Sequence, residues 1–191
     1  RLSVCAKDRI YKIYRSFKDG DEIVISFQDE IRLIENAGGV SVKKGALLYA
    51  LPVEENVVVN GLREMGNEDF PHYSLYPASS WNYGISAEDY GQAEFFKTEK
   101  EPMSEPWRKA CNTLRIELPV YELPEWKLRT YSIVNRRLKP RENGVPVRGE
   151  FTFIPKVSDK TTKKIGKKVR VTLIPYAATR LRIAIFPKVE R

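Results

Sequence analysis

Two cysteines and one histidine are the whole supply of the side chains most often used for zinc binding and activated nucleophiles in this 191-residue chain. A zinc site draws three or four ligands from Cys, His and carboxylates, commonly at short spacings. Cys5 and Cys111 share no such motif, and no metal site is expected. His72, in Asp69-Phe70-Pro71-His72-Tyr73, is the only partner available to a serine or cysteine nucleophile. Nothing around the serines or either cysteine supports such a pair. A lone loop histidine reads first as a surface or hydrogen-bonding residue. Two cysteines so far apart in sequence leave a disulfide and two buried free thiols equally open.

Long apolar runs are also missing, so no helix is expected to span a membrane. No segment shows period 3.6, a heptad or an internal repeat, and little helix is expected. No export signal is visible, because residues 1–30 already read as strands. The first residue is Arg1 rather than Met, and the expectation is a fragment, a processed product or a trimmed chain, with any export signal removed. Hydrophobic residues at 42% and charged residues at 30% place the chain among globular rather than disordered sequences.

The formal net charge of +8 invites a polyanionic partner. Its distribution points elsewhere. Lys156, Lys160, Lys163, Lys164, Lys167, Lys168 and Arg170 crowd between two strands, among Ser, Thr, Asp and Gly. A surface for single-stranded nucleic acid interleaves aromatic rings with its cations, and this segment has none. It reads as a solvated loop, and no nucleic-acid partner is expected.

What the chain does contain is strand patterning. Residues 169–187 hold two alternating runs around a short turn, each ending in proline, at Pro175 and Pro187. Leu181, Ile183 and Ile185 face one way, and Arg180, Arg182 and Ala184 the other. Leu114–Val120 alternates in the same manner. Ala46–Leu51 is nearly all apolar, as in a strand covered on both faces. Val40–Val42, Val57–Val59 and Phe151–Ile154 read as shorter strands. Residues 10–27 read as a bulged hairpin with its turn at Lys18-Asp19-Gly20-Asp21. Residues 61–112 are the least regular part and hold nine aromatics, so they are expected to pack over a sheet or line a surface. About ten short strands predict an all-β fold, a sandwich or jelly roll with a long aromatic-rich irregular segment. Asn36-Ala37-Gly38-Gly39 is the best boundary. It separates residues 1–35, read as the end of a preceding β-sandwich, from a C-terminal sandwich of residues 36–191.

Candidate chemistry is sparse. Glu54, Glu55, Glu64, Glu68, Asp69, Glu88 and Asp89 lie in or near the irregular region, but spacing alone brings no two of them to the separation a glycosidase needs. No catalytic residue is assigned. Ser79-Ser80-Trp81-Asn82-Tyr83-Gly84 is the most suggestive binding segment. Aromatic faces stack on sugar rings, and an amide beside them can hydrogen-bond hydroxyls. Trp81, Asn82 and Tyr83, with Tyr76 and His72 nearby, form either a carbohydrate-binding surface or an interface with a neighbouring domain. Packing of Trp81 and Tyr83 against a sheet explains the same residues.

Four segments together resemble the C-terminal part of the β-L-arabinofuranosidase family, glycoside hydrolase family 127 and its relatives. Arg15-Ser16-Phe17-Lys18-Asp19-Gly20-Asp21 is similar to an Arg-x-Trp-x-x-Gly-Asp turn, with Phe17 in place of Trp. Lys44-Gly45-Ala46-Leu47-Leu48-Tyr49-Ala50-Leu51 resembles an Arg-Gly-Pro-Leu-Val-Tyr-Ala strand without its Pro. Ser80-Trp81-Asn82-Tyr83-Gly84 resembles a Trp-Asn-Tyr element. Leu173–Pro187 resembles a closing Leu-Ile-Pro-Tyr-x-x-Thr-x-Leu-Arg-x-x-x-Phe-Pro.

The resemblance implies β-sandwich domains that follow a helical (α/α)6 barrel in one polypeptide. A zinc-bound cysteine nucleophile and glutamates would sit in that barrel, so zinc belongs to the upstream domain and no cofactor to this chain. The sheets would brace the barrel, shape one side of its cleft and contribute to homodimer contacts. The substrate would be a plant-type glycan, and a secreted or periplasmic place would suit the parent enzyme. An independent carbohydrate-binding module and a purely structural or assembly domain are the alternatives.

Overall fold

The computed structural model describes residues 3–7, 10–26, 29–59, 73–98, 113–134, 148–158 and 160–190. Among them it contains fifteen strands and two single-turn 3₁₀ segments, Tyr90–Gln92 and Tyr176–Ala178. The all-β expectation holds.

Nine strands form one mixed sheet. In chain order they are β3 (Ile31–Asn36), β4 (Gly39–Lys44), β5 (Leu47–Pro52), β8 (Tyr83–Ser86), β9 (Glu94–Lys97), β10 (Leu114–Glu122), β13 (Lys168–Pro175), β14 (Arg182–Ile183) and β15 (Lys188–Val189). The path across the sheet runs β15-β8-β10-β13-β5-β4-β3, with β9 also on β10 and β14 also on β5. The other strands form three two-stranded ribbons: β1 (Ser3–Lys7) with β2 (Ile10–Tyr14), β6 (Glu55–Val59) with β7 (Tyr73–Pro77), and β11 (Arg129–Val134) with β12 (Arg148–Phe153).

The sheet curls into a half-barrel, and the C-terminal segment spans its two sides. Lys188 and Val189 pair in parallel with Ile85 and Ser86 of β8. One step earlier, Phe186 exchanges both backbone hydrogen bonds with Val40 of β4, at 2.8 and 2.9 Å. Two glycines let the segment approach. A Cβ on Gly39 would stand 2.4 Å from the carbonyl oxygen of Phe186, and one on Gly84 would stand 2.4 Å from a Val189 methyl. Curling supplies the opposed apolar faces that a sandwich obtains from two layers. Val42, Tyr49, Leu51, Ile85, Ile116, Leu118, Val120, Leu173 and Phe186 fill the space between them.

The long strand β10 explains the centre of the sheet. Ile116, Leu118 and Val120 share one face and are completely buried, as period 2 requires. On one edge β10 pairs with β13 along most of its length. On the other it pairs with β9 at residues 114–117 and with β8 at 121–122. Pro119 falls in the gap between those partners. The Glu122 N–H donates toward β13 and the Leu123 N–H toward Asn82, so alternation turns the proline nitrogen to the gap, where a missing N–H breaks no ladder bond.

Several sequence expectations need correction. The hairpin expected over residues 10–27 is instead formed by Ser3–Lys7 and Ile10–Tyr14 in unbroken register, with no bulge. Ile23, Val24 and Ile25, expected as its second arm, form no strand and are largely exposed. Within the segment read as irregular, residues 73–77, 83–86 and 94–97 are strands. The closing strands around Pro175 do not pair with each other. Ile174–Pro175 and Arg182–Ile183 both pair with β5, and only two residues of the second run are strand. Asn36–Gly39 forms the turn of the β3–β4 hairpin. Ala37 and Gly38 both have positive φ, +44° and +87°, as a two-residue type I′ turn demands.

Candidate functional site

Trp81 enters the structure as a core residue. It is 8% exposed, and its ring meets Trp126 edge to face, centroids 5.0 Å apart at 67°. The Trp126 indole N–H donates to the Pro155 carbonyl at 3.1 Å. Asn82 is committed to backbone: its amide donates to the Leu123 carbonyl at 2.8 Å, and the Leu123 N–H donates to the Asn82 carbonyl at 2.8 Å. Tyr83 is half-buried and packs on the same core. These three contiguous residues therefore fasten the entry to β8 onto β10. His72 lies outside the described residues, as does Cys111.

Tyr76 sits elsewhere. It is about half exposed, on the β6–β7 ribbon, and lines a groove of about 400 Å³. Pro77 and Leu75 line it from the same strand, Phe153 and Ile154 from the end of β12 and just beyond it, Arg182 and Ile183 from β14, and Leu181 from just before it. A second cavity of about 480 Å³ shares Ile154, Arg182 and Ile183, and adds Trp126, Lys156 and Tyr176. The Arg182 guanidinium lies 3.8 Å over the Tyr176 ring, and its Nη1 donates to the Thr179 and Arg180 carbonyls. Tyr76 is thus separated from the Trp81 group and joined to residues that the sequence pattern assigned to strands and their connections rather than to a site. Arg182 and Tyr176 lie in the closing segment, but their proximity to Tyr76 depends on β14 pairing with β5.

The carboxylates are dispersed. Glu64, Glu68 and Asp69 lie outside the described residues. Glu55 forms an ion pair with Arg180. Glu88 is exposed in a turn. Asp89 is 1% exposed and fully engaged: it accepts from the Tyr121 hydroxyl at 2.5 Å and Gln92 Nε2 at 3.2 Å, and pairs with Lys168 Nζ at 3.0 Å. Such an arrangement holds the Ser86–Ala93 turn against β10 and β13. Among the described residues no group of three or more His, Cys, Asp or Glu side chains is placed to hold a metal ion.

No protein-family model matches the chain, and neither a curated protein nor a solved structure matches it.

The basic loop does not form a uniform cationic face. Lys164 pairs with Glu125 at 3.0 Å, Lys163 with Glu190 at 3.6 Å, and Arg170 with Glu94 at 2.9 Å. Pairs this exposed add roughly 0–1 kcal/mol each to stability, yet they offset the local positive field. One buried ionisable group stands apart. Burial, with the nearby Asp29 charge second, pushes the Tyr49 hydroxyl up to about 12. Asp29 is itself paired with Lys44.

Proposed function

We propose that this chain is the non-catalytic β-sheet portion of a glycoside hydrolase similar to the β-L-arabinofuranosidase family, acting on arabinofuranose-type or related plant glycans. Hydrolysis takes place in a helical, zinc-dependent domain upstream in the same polypeptide. The β-domain braces that domain.

The observation that carries this reading is how the resembling segments meet. The Lys44–Leu51 segment supplies β5. Ile174 and Pro175 from the closing segment pair with it, and so do Arg182 and Ile183 from the same segment. The Trp81-Asn82-Tyr83 element leads into β8, where Ile85 N–H donates to the Pro187 carbonyl at 3.0 Å. Three segments separated by tens of residues thus build one core, which gives each a structural reason for its pattern. The fourth segment is a self-contained turn. The Arg15 guanidinium pairs with Asp21 at 2.8 Å and lies 5.3 Å over Phe17, while Asp21 also accepts from the Lys18 N–H at 2.8 Å. Gly20 takes a φ of +83° there.

The test is the coding sequence directly upstream of Arg1. The expected result is an open frame continuing into a long helix-patterned region with clustered Cys and Glu. The full-length product should then release arabinose from an aryl β-L-arabinofuranoside, and the 191-residue chain should not. A start codon directly before Arg1 overturns the proposal.

A further inference from the structure

We propose that the double groove around Arg182 binds an acidic oligosaccharide, a chain of pyranose rings carrying carboxylates. Its two lobes, about 400 and 480 Å³, join at Ile154 and Arg182 and fall within the size range of small-ligand sites. Tyr76 and Phe153 in one lobe are 45% and 43% exposed and line it with aromatic surface, while Tyr176 in the other is 41% exposed and carries the Arg182 guanidinium over its ring. Rings spaced along a groove suit the apolar faces of successive sugar units, which stack on aromatics while their hydroxyls stay in water.

Charge sets the class of sugar. Among the described residues neither lining contains an Asp or Glu, whereas Arg182 lines both lobes and Lys156 lines the second. The two hydrogen bonds Arg182 makes to backbone carbonyls both use Nη1. A guanidinium held 3.8 Å over Tyr176 and tied by Nη1 to two carbonyls is restrained for a carboxylate, which its planar fork matches in geometry. A neutral glycan would use the rings and leave both cations without a counter-charge. An acidic one uses both. The inference rests on the groove alone and holds whether or not a hydrolase domain precedes it.

The experiment is titration of the 191-residue chain with trigalacturonic acid, followed by calorimetry and amide chemical shifts, with cellotriose and an acidic tripeptide as comparators. Binding of the trigalacturonate at least about tenfold tighter than of either comparator, weakening as salt is raised, is expected. Lys156→Gln and Tyr76→Ala both change exposed side chains, and each should weaken binding about threefold to tenfold with unchanged thermal unfolding. Arg182→Lys should weaken it further. Absence of binding at millimolar ligand, equal binding of cellotriose or of the peptide, or unchanged affinity in Lys156→Gln and Tyr76→Ala would each overturn the assignment.

Discussion

The edge of one indole against the face of another, Trp81 with Trp126 at 5.0 Å and 67°, ties the start of β8 to the segment after β10. Trp81 is almost fully buried and Trp126 about half so. Truncation of Trp81 to alanine should therefore cost about 3–5 kcal/mol, the usual range for a buried large aromatic. Truncation of Trp126 should cost less, and a double-mutant cycle should show a coupling of about 1 kcal/mol beyond area burial. Urea unfolding of the four proteins measures both. Additive losses would mean that the contact contributes nothing of its own.

Closure of the curled sheet depends on two positions that cannot carry a side chain. A methyl on Gly39 would collide with the Phe186 carbonyl, so backbone would have to move, and one on Gly84 would collide with a Val189 methyl, so that side chain would have to shift. Gly39→Ala and Gly84→Ala should each destabilise by about 1–3 kcal/mol, as overpacked sites do. Amide exchange should quicken at Val40, Ile85 and Phe186, whose N–H groups make the closing hydrogen bonds. Protection unchanged at all three would show that the closure is not carried by this approach.

Much of the sheet was legible because its strands alternate and its breaks are proline and glycine. The Leu114–Val120 run placed Ile116 and Leu118 in the core, and Ala46–Leu51 read correctly as a covered strand. Partner choice was not legible. Ile23-Val24-Ile25 has as good a strand pattern as Ser3–Lys7, yet β2 pairs with the latter, because pairing is set by contacts that local pattern does not encode. The same limit hid the groove. Tyr76, Phe153 and the Tyr176–Arg182 pair come from three separate stretches and meet through strand pairings that only the folded chain reveals. Trp81, Asn82 and Tyr83 were conspicuous because they are adjacent, and their adjacency serves packing.

Tyr49 makes stability fall at high pH. Its hydroxyl is raised from 10.0 to about 12 in the folded chain. Between those values the unfolded chain has lost the proton and the folded chain retains it. The stabilisation is complete below pH 10 and disappears as pH rises toward 12. Two pKa units correspond to about 2.7 kcal/mol as an upper figure. Tyr49→Phe should remove this slope while leaving stability near pH 7 within about 1 kcal/mol. A denaturant series from pH 9 to 12 checks it, and an identical slope in both proteins would remove Tyr49 as the cause.

Asp89 supplies the sharpest test of the polar outer face. Its carboxylate is buried with three donors around it, from Tyr121, Gln92 and Lys168. Replacement by asparagine keeps the shape, but an amide has one acceptor oxygen where the carboxylate has two. One donor then loses its partner, and the Lys168 ammonium loses its counter-charge. Hydrogen bonds to charged groups are each worth about 1.5–3 kcal/mol. Lys168 reaches solvent with over a third of its side chain and is discounted for screening, which leaves an expected loss of about 2–3 kcal/mol for Asp89→Asn. Asp89→Leu should cost more, because it leaves the buried Tyr121 hydroxyl without this acceptor and crowds the turn. Unfolding midpoints of the two variants should therefore rank wild type above Asp89→Asn above Asp89→Leu. The reverse order for the two variants would mean that burying the charge costs more than its hydrogen bonds return, as happens where desolvation outweighs pairing.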